Sequence, residues 1–181
     1  MHPQYHIAPL TSQPHIIEAL AEIITETVAH GGSVSFMHPL KRETAIQFWQ
    51  NTLAAADRGE RIVLGAFDGQ DLVATVTLLV DCPPNQPHRA EIAKMMTRVS
   101  HRGLGIARAL LLEAERLAVA LGKTLINLDT AEDGGAAGFY EKLGYQKTGV
   151  IPDFALKPHG GLTGTVIYWK RVGAAAKNES H

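Results

Sequence analysis

Three stretches of the chain repeat apolar residues at helical spacing. Ile16, Ile17, Leu20, Ile23, Ile24 and Val28 share one face, and a stripe of that period predicts an amphipathic helix. Ser12 and Pro14 mark its start and His30-Gly31-Gly32 its end, because proline is tolerated where the first N–H has no partner and glycine closes a helix. A second helix is predicted from Lys41 to Asp57, with Ile46, Trp49 and Leu53 inward and Arg58-Gly59 at its end. The third begins at Leu104 and continues through Ala107, Leu111, Ala114, Ala118 and Leu121, with Leu110 and Leu117 widening the stripe and Arg108, Glu113, Glu115 and Arg116 opposite. Burying each leucine contributes roughly 1.5 to 3 kcal/mol, so this helix is expected to lie flat on a sheet.

Strand patterns fall between and after these helices. Tyr5 to Ala8, Arg61 to Phe67 and Leu72 to Val80 are apolar and β-branched, and DGQD at 68–71 reads as a hairpin turn joining the last two. Cys82 to Pro87, with three prolines, is a loop, and His88 to Arg98 is the next strand. Lys123 to Asp129 follows the central helix, so strand, helix and strand make a crossover with parallel strands. Asp133 to Leu143 is read as a short helix, Tyr145 to Ile151 and Thr165 to Arg171 as the closing strands, and Pro152 to Gly164 as a long irregular loop. Gly31 to Pro39 is apolar at Val34, Phe36 and Met37, yet too rich in glycine for a helix, and is expected to fold over something. The expected architecture is mixed α/β: a six- to seven-stranded sheet flanked by about four helices. One domain is expected over 1–172, with 173–181 as a flexible tail.

The junction before the central helix carries the chemistry. Arg102 to Ala107 reads RGLGIA; its glycines permit positive φ, and the first N–H groups of a helix lack intrahelical acceptors. Such a terminus attracts an anion, and Arg102 adds a charge-assisted donor for phosphate. Neither nucleotide-loop spacing is present, since Arg108 stands where a third glycine would be needed.

RGLGIA also fits the pattern Gln/Arg, two residues, Gly, one residue, Gly/Ala, and so resembles the acyl-CoA signature of the GCN5-related N-acetyltransferases (GNAT). Downstream, GFYEKLGY at 138–145 is similar to that family's helix ending in Phe-Tyr before a Gly-aromatic strand start. HGGSVSFM at 30–37, RAEIAKMM at 89–96, HRGLGIARAL at 101–110, INLDTAEDGGAAGFYEKLGY at 126–145 and TGTVIYWK at 163–170 resemble the tabtoxin resistance proteins, acetyltransferases that inactivate a β-lactam amino-acid toxin. The resemblance implies the GNAT fold, acetyl-CoA as cosubstrate without a metal, and transfer of acetyl to the amine of a small amino-acid-like acceptor. Acetylation of another amine (a polyamine, an aminoglycoside or a peptide N-terminus) and a non-catalytic acyl-CoA-binding module are the alternatives.

Composition narrows the partners. With 181 residues, 45% hydrophobic and 19% charged, the chain is long enough for one well-buried domain. A net charge of -1 provides no basic field for nucleic acid or membrane, leaving a small molecule as the expected partner. The single cysteine, Cys82, excludes an internal disulfide and fits a reducing compartment. The histidines show no metal-ligand spacing, and the first residues show no basic segment followed by an apolar run. A soluble, cytoplasmic monomer or homodimer is expected.

The resemblance assigns roles. An alkyl amine with a pKa near 10.4 is about 0.1% neutral or less at pH 7, so transfer benefits from a base. Glu91 and Asp129 are the candidates; their structural alternatives are a partner for Arg89 and a helix N-cap. Tyr140 is the candidate acid for the leaving thiolate, or else packs beside Phe139. Met95, Met96, Thr97 and Arg98 would meet the pantetheine arm and the thioester carbonyl through their backbone, and Arg102, Gly103, Leu104, Gly105, Ile106 and Ala107 the phosphates. Phe36, His38 and Phe154 would wall the acceptor pocket, with His30 nearby. Val99 replaces a common proline, Ala107 a frequent glycine, and Asp133 an asparagine that donates to the CoA arm, which an aspartate cannot do.

Overall fold

A computed structural model describes residues 5–174, with seven strands and four α-helices. In chain order they are β1 (His6–Pro9), α1 (Pro14–Ala29), α2 (Arg42–Asp57), β2 (Arg61–Asp68), β3 (Asp71–Leu79), β4 (Arg89–Thr97), α3 (Ile106–Ala120), β5 (Leu125–Ala131), α4 (Ala137–Lys142), β6 (Gln146–Leu156) and β7 (Leu162–Arg171). The strands form one mixed sheet in the order β1-β2-β3-β4-β5-β7-β6. This is the expected α/β architecture, and β4-α3-β5 is the expected crossover with parallel strands. The expected tail falls mostly on residues 175–181, outside the described residues.

Alternation along each strand sends neighbouring residues to opposite faces, and two cores result. Ile16, Leu20, Ile23 and Ile24 of α1 and Trp49 and Leu53 of α2 pack with Val63 and Leu72. Leu110, Leu111, Ala114 and Ala118 of α3 pack with Leu64, Val76, Ile92, Ile126 and Tyr168. No helix among the described residues is long and apolar enough to cross a membrane.

The pairing of β4 with β5 positions the site. These strands are in register only at Arg89–Glu91 against Leu125–Asn127. Further along, both continue unpaired with each other, and the sheet opens into a wedge. On its other side β4 bulges: Ala93 faces Thr77 and Met96 faces Thr75, so β4 spends one more residue than β3 over that span. A bulge bends the strand and re-aims its side chains; here it turns β4 away from β5.

Four sequence expectations need correction. The cap of α1 is Gln13, and the Ser12 hydroxyl donates to Asp57 instead (3.0 Å). The buried stripe of α3 is Ile106, Leu110, Leu111, Ala114 and Ala118, while Leu104 and Leu121 are exposed; the helix starts two residues after Leu104, which lies in the turn. α4 spans only 137–142 because Gly135, at φ 74°, cannot sit in a right-handed helix. Finally, Pro152–Gly164 is mostly strand: β6 runs to Leu156 and β7 begins at Leu162, with a wide irregularity between Ile151 and Ala155 that mimics a loop in sequence.

Candidate active site

The turn before α3 is built from backbone. Gly103 (φ 76°) and Gly105 (φ 80°) hold left-handed conformations, and Gly105 is the N-cap of α3. A Cβ at either glycine would meet nothing within 4 Å, so the conformation requires glycine and the space before it stays open. Arg102 donates from Nε to the Thr97 carbonyl (3.3 Å), which folds its stem along the end of β4. A 430 Å³ cavity lies here, with Arg102, Arg108 and Lys142 around it and Phe139 and Leu143 as apolar walls. Three cations beside an uncapped helix start suit phosphates. Lys142 has no place in the signature; its only sequence signal is a basic residue in the last turn of a helix.

From that turn the cavities run through the wedge. A 520 Å³ cavity shares Arg102 with the first and reaches Met95, Thr130 and the 30–34 loop. A 150 Å³ cavity shares Ser33, Val34, Met95 and Thr130 with it and adds Lys94, Asp129 and Tyr140. A 290 Å³ cavity then shares Ser33, Ser35, Asp129 and Thr130 and is walled by Phe36, Met37, Phe154 and Leu156. The series has cations at one end and aromatic and aliphatic walls at the other, with a titratable cluster between.

At that cluster, Asp129 is exposed, and its carboxylate accepts from the Thr165 hydroxyl (2.9 Å) across the β5–β7 ladder. Tyr140 is 6% exposed, with its ring against Phe139, Tyr145 and Tyr168 at 5.0 to 5.8 Å. Burial, then the charge of Asp129, pushes its phenol up to about 12. Core packing and a place in the cavity therefore coexist for this residue. Lys94 donates from Nζ to Ser35 Oγ (2.8 Å), and burial holds its ammonium below the ordinary lysine range against the attraction of Asp129 and Glu91. Ser35 (φ 76°), Lys94 (φ 52°) and Asp153 (φ 53°) are the positive-φ non-glycine residues among those described. Ser35 and Lys94 line the 150 Å³ cavity, and Asp153 is the residue before Phe154 of the apolar wall. Conformations of this kind cost on the order of 1 to 3 kcal/mol and gather at functional sites.

The chain matches the acetyltransferase (GNAT) family model over residues 19–145. It belongs to that family. The acetyltransferase is similar in fold to the N-acetyltransferase of Staphylococcus aureus Mu50, at 15% identity and a TM-score of 0.77, over 93% of this chain and 99% of that one. It is also similar to a GNAT-superfamily phosphinothricin acetyltransferase of Sinorhizobium meliloti solved in complex with AcCoA, at 18% identity, a TM-score of 0.78 and coverage of 98% and 92%. Ribosomal-protein-alanine N-acetyltransferase of Brucella melitensis gives 18% identity, a TM-score of 0.75 and coverage of 92% and 99%.

Not every expected site residue is brought together in the acetyltransferase. Asp129 and Tyr140 share a cavity, whereas Glu91 lines neither cavity that Asp129 lines. Its carboxylate meets Arg89 at 3.3 Å, and Arg89 also donates to Asn127 (2.7 Å). Met95 borders the 520 Å³ cavity and Thr97 the 430 Å³ one, while the Met96 side chain is 2% exposed and fills the α1/α2 core, leaving only its backbone for the expected contact. Arg98 is engaged elsewhere: its N–H donates to Val73, and its guanidinium to Leu72 and Glu22. Ile106 is a core residue and Leu104 an exposed one. Phe36 and Phe154 wall the apolar cavity, whereas His38 stacks 4.5 Å from His159 and does not line it. His30 borders the passage, its Nδ1 held by the Glu26 carbonyl. Asp133 accepts from Thr163 (2.7 Å) and Lys157 (3.1 Å), which hold its carboxyl below the usual range and leave it no proton to donate.

Lys94 was missed by the sequence reading. Ala90, Ile92 and Met96 are buried on one phase of β4, and Lys94 occupies that apolar phase. A lysine there is the signal: it predicts either a buried charge or a break in the alternation, and the bulge supplies the break.

Proposed function

We infer that this chain is an acetyl-CoA-dependent N-acetyltransferase that transfers acetyl directly to the amine of a small amino-acid-like acceptor, from one catalytic domain spanning residues 1–172. The observation that carries this reading is the run of cavities from the glycine turn, through the β4–β5 wedge, to Asp129 and Tyr140. It offers a cationic seat for phosphates, a passage for a pantetheine arm and a titratable cluster where the arm would end. The AcCoA complex of the S. meliloti neighbour supports that donor. Resemblance to the tabtoxin resistance proteins favours a β-lactam amino-acid toxin as the acceptor.

Acetyl-CoA, when bound, supplies the acetyl group as an activated thioester. Asp129 takes a proton from the acceptor ammonium and orients the freed amine; Glu91, beyond it, adds negative potential. The amine nitrogen forms a bond to the carbonyl carbon, and the C–S bond breaks with its electron pair on sulfur. Tyr140 donates a hydrogen bond to that sulfur. A phenol near 12 remains protonated throughout the working range, but passing its proton to a thiolate of pKa about 8.5 is uphill by roughly 5 kcal/mol. The proton must therefore be replaced in the same step, and the acceptor nitrogen, which becomes more acidic as it is acylated, is the source. Transfer is direct, since Cys82 lies in the loop between β3 and β4 and lines none of these cavities, its thiol donating to the Arg89 carbonyl (3.2 Å).

The test is thiol release from acetyl-CoA by the purified protein over a panel of small amines that includes a β-lactam amino acid, with Tyr140→Phe alongside. Selective turnover, with kcat about 100-fold lower in the variant and KM little changed, is expected. Binding of acetyl-CoA without transfer to any amine would sink the reading.

A further inference from the structure

Lys94 has a position that donor binding does not explain. It stands in the β4 bulge at φ 52°, on the acceptor side of Met95, and its Nζ spends one of three donors on Ser35 Oγ at 2.8 Å. Its ammonium also lies over the Phe48 ring, 6.0 Å from the centroid, a cation–π contact that offsets part of its desolvation. Asp129 and Glu91 attract the ammonium, yet neither carboxylate lies within salt-bridge distance of it among the ion pairs of the described residues. Two donors are left for the 150 Å³ cavity that Lys94 shares with Asp129, Ser33 and Tyr140. Desolvating a cation without a direct carboxylate partner is unfavourable, and so is a left-handed lysine; a surface lysine would need neither.

We propose that Lys94, seconded by the hydroxyls of Ser33 and Ser35, binds the carboxylate of the acceptor and makes the acetyltransferase selective for free amino acids over other amines. This rests on the reading above. Asp129 and Lys94 place one negative and one positive group on a single small cavity, which is the complement of an ammonium and a carboxylate carried on one carbon. The side chain of such an acceptor extends into the neighbouring 290 Å³ cavity, against Phe36, Met37 and Phe154. An incoming carboxylate would complete the donor set of Lys94, and the Ser35 bond already fixes the ammonium before the acceptor arrives. Pre-organisation of that kind reduces the ordering cost of binding.

The experiment uses the full chain with saturating acetyl-CoA and matched triplets of acceptor: an L-amino acid, its primary carboxamide and its decarboxylated amine, for a range of side chains and for a β-lactam alanine. Wild type is expected to prefer the carboxylate member of every triplet that it acetylates. Lys94→Met should raise KM for that member about 10- to 100-fold relative to the other two, as for the loss of a charge-assisted hydrogen bond, and so erase the preference for the carboxylate. Lys94→Arg keeps the cation and should restore part of the preference. A wild type indifferent to the carboxylate overturns this assignment while leaving acetyl transfer intact, and so does a Lys94→Met variant that loses all three members equally. Acetylation of no amine in any triplet would instead remove the acetyltransfer reading itself.

Discussion

The phosphate end and the acceptor end of the cavity run are made in opposite ways. The phosphate end comes from one contiguous segment, residues 102–108, which offers two left-handed glycines and a free helix start, supplemented by cations. The acceptor end gathers side chains from the 33–37 loop, the β4 bulge, the end of β5 and the β6–β7 hairpin. It also places left-handed conformations on Ser35, Lys94 and Asp153, none of which is glycine. A backbone-built feature can be moved intact between proteins; a side-chain-built one depends on the register of four elements. Donor recognition should therefore be the shared part of this enzyme, and acceptor choice its own.

If the two ends are separable, damage to one should not register at the other. The sharpest case is Asp129→Asn, which keeps the shape and the acceptor role toward Thr165 but removes the charge. Loss of a general base typically costs about 10² to 10⁴ in rate, and kcat should fall by that much while KM for acetyl-CoA stays within about twofold. Steady-state kinetics with both substrates varied decides it. An equal rise in the acetyl-CoA KM would mean that the ends are one unit.

The reciprocal variant is Gly105→Val. At φ 80° a β-branched residue is strained by roughly 1 to 2 kcal/mol, and the turn will relax toward a conformation that no longer presents its N–H groups. KM for acetyl-CoA should rise about tenfold, since each 1.4 kcal/mol is a factor of ten, with kcat at saturating donor preserved. Gly105→Ala should give a smaller rise. A kcat that collapses in both variants, with the donor KM unchanged, would contradict a phosphate seat at this turn.

The same contrast explains what could be read from sequence. RGLGIA shows its turn because positive φ selects glycine at 103 and 105, and the α3 stripe beside it shows its fold because burial selects a helical period. The wedge between β4 and β5 was out of reach: it depends on pairing that stops after Glu91 and Asn127, and nothing local marks where two distant strands part. Only the outer part of the β6–β7 hairpin, Pro152 to Gly164, reads as a loop, because Pro152 and left-handed Asp153 interrupt its alternation at the bulge. His38 and the Arg98 guanidinium find partners remote in sequence, His159 and Glu22, which no local pattern marks. Lys94 left a trace, a charge on the apolar phase of a strand, that becomes meaningful only once the bulge is seen.

The mildest variant tests whether the acceptor end was built at the expense of stability. Burial lowers the pKa of Lys94, so between that value and the ordinary one near 10.4 the unfolded chain binds more protons than the folded chain. Unfolding free energy then rises with pH across that window. Below it, the folded protein carries a desolvated ammonium that Asp129, Glu91 and Ser35 only partly compensate, with Tyr140 as the neutral neighbour across the cavity. Lys94→Met removes that charge and retains the stem, so it should stabilise the fold at pH 7, by no more than about 1 kcal/mol on the scale of single substitutions. The gain should shrink as the pH climbs toward 10, because wild type sheds the same charge. Thermal unfolding of both proteins at pH 7 and pH 9.5 measures this. A variant less stable than wild type at neutral pH would make Lys94 a structural tether for the 33–37 loop, and the acceptor end would then owe its left-handed residues to folding rather than to recognition.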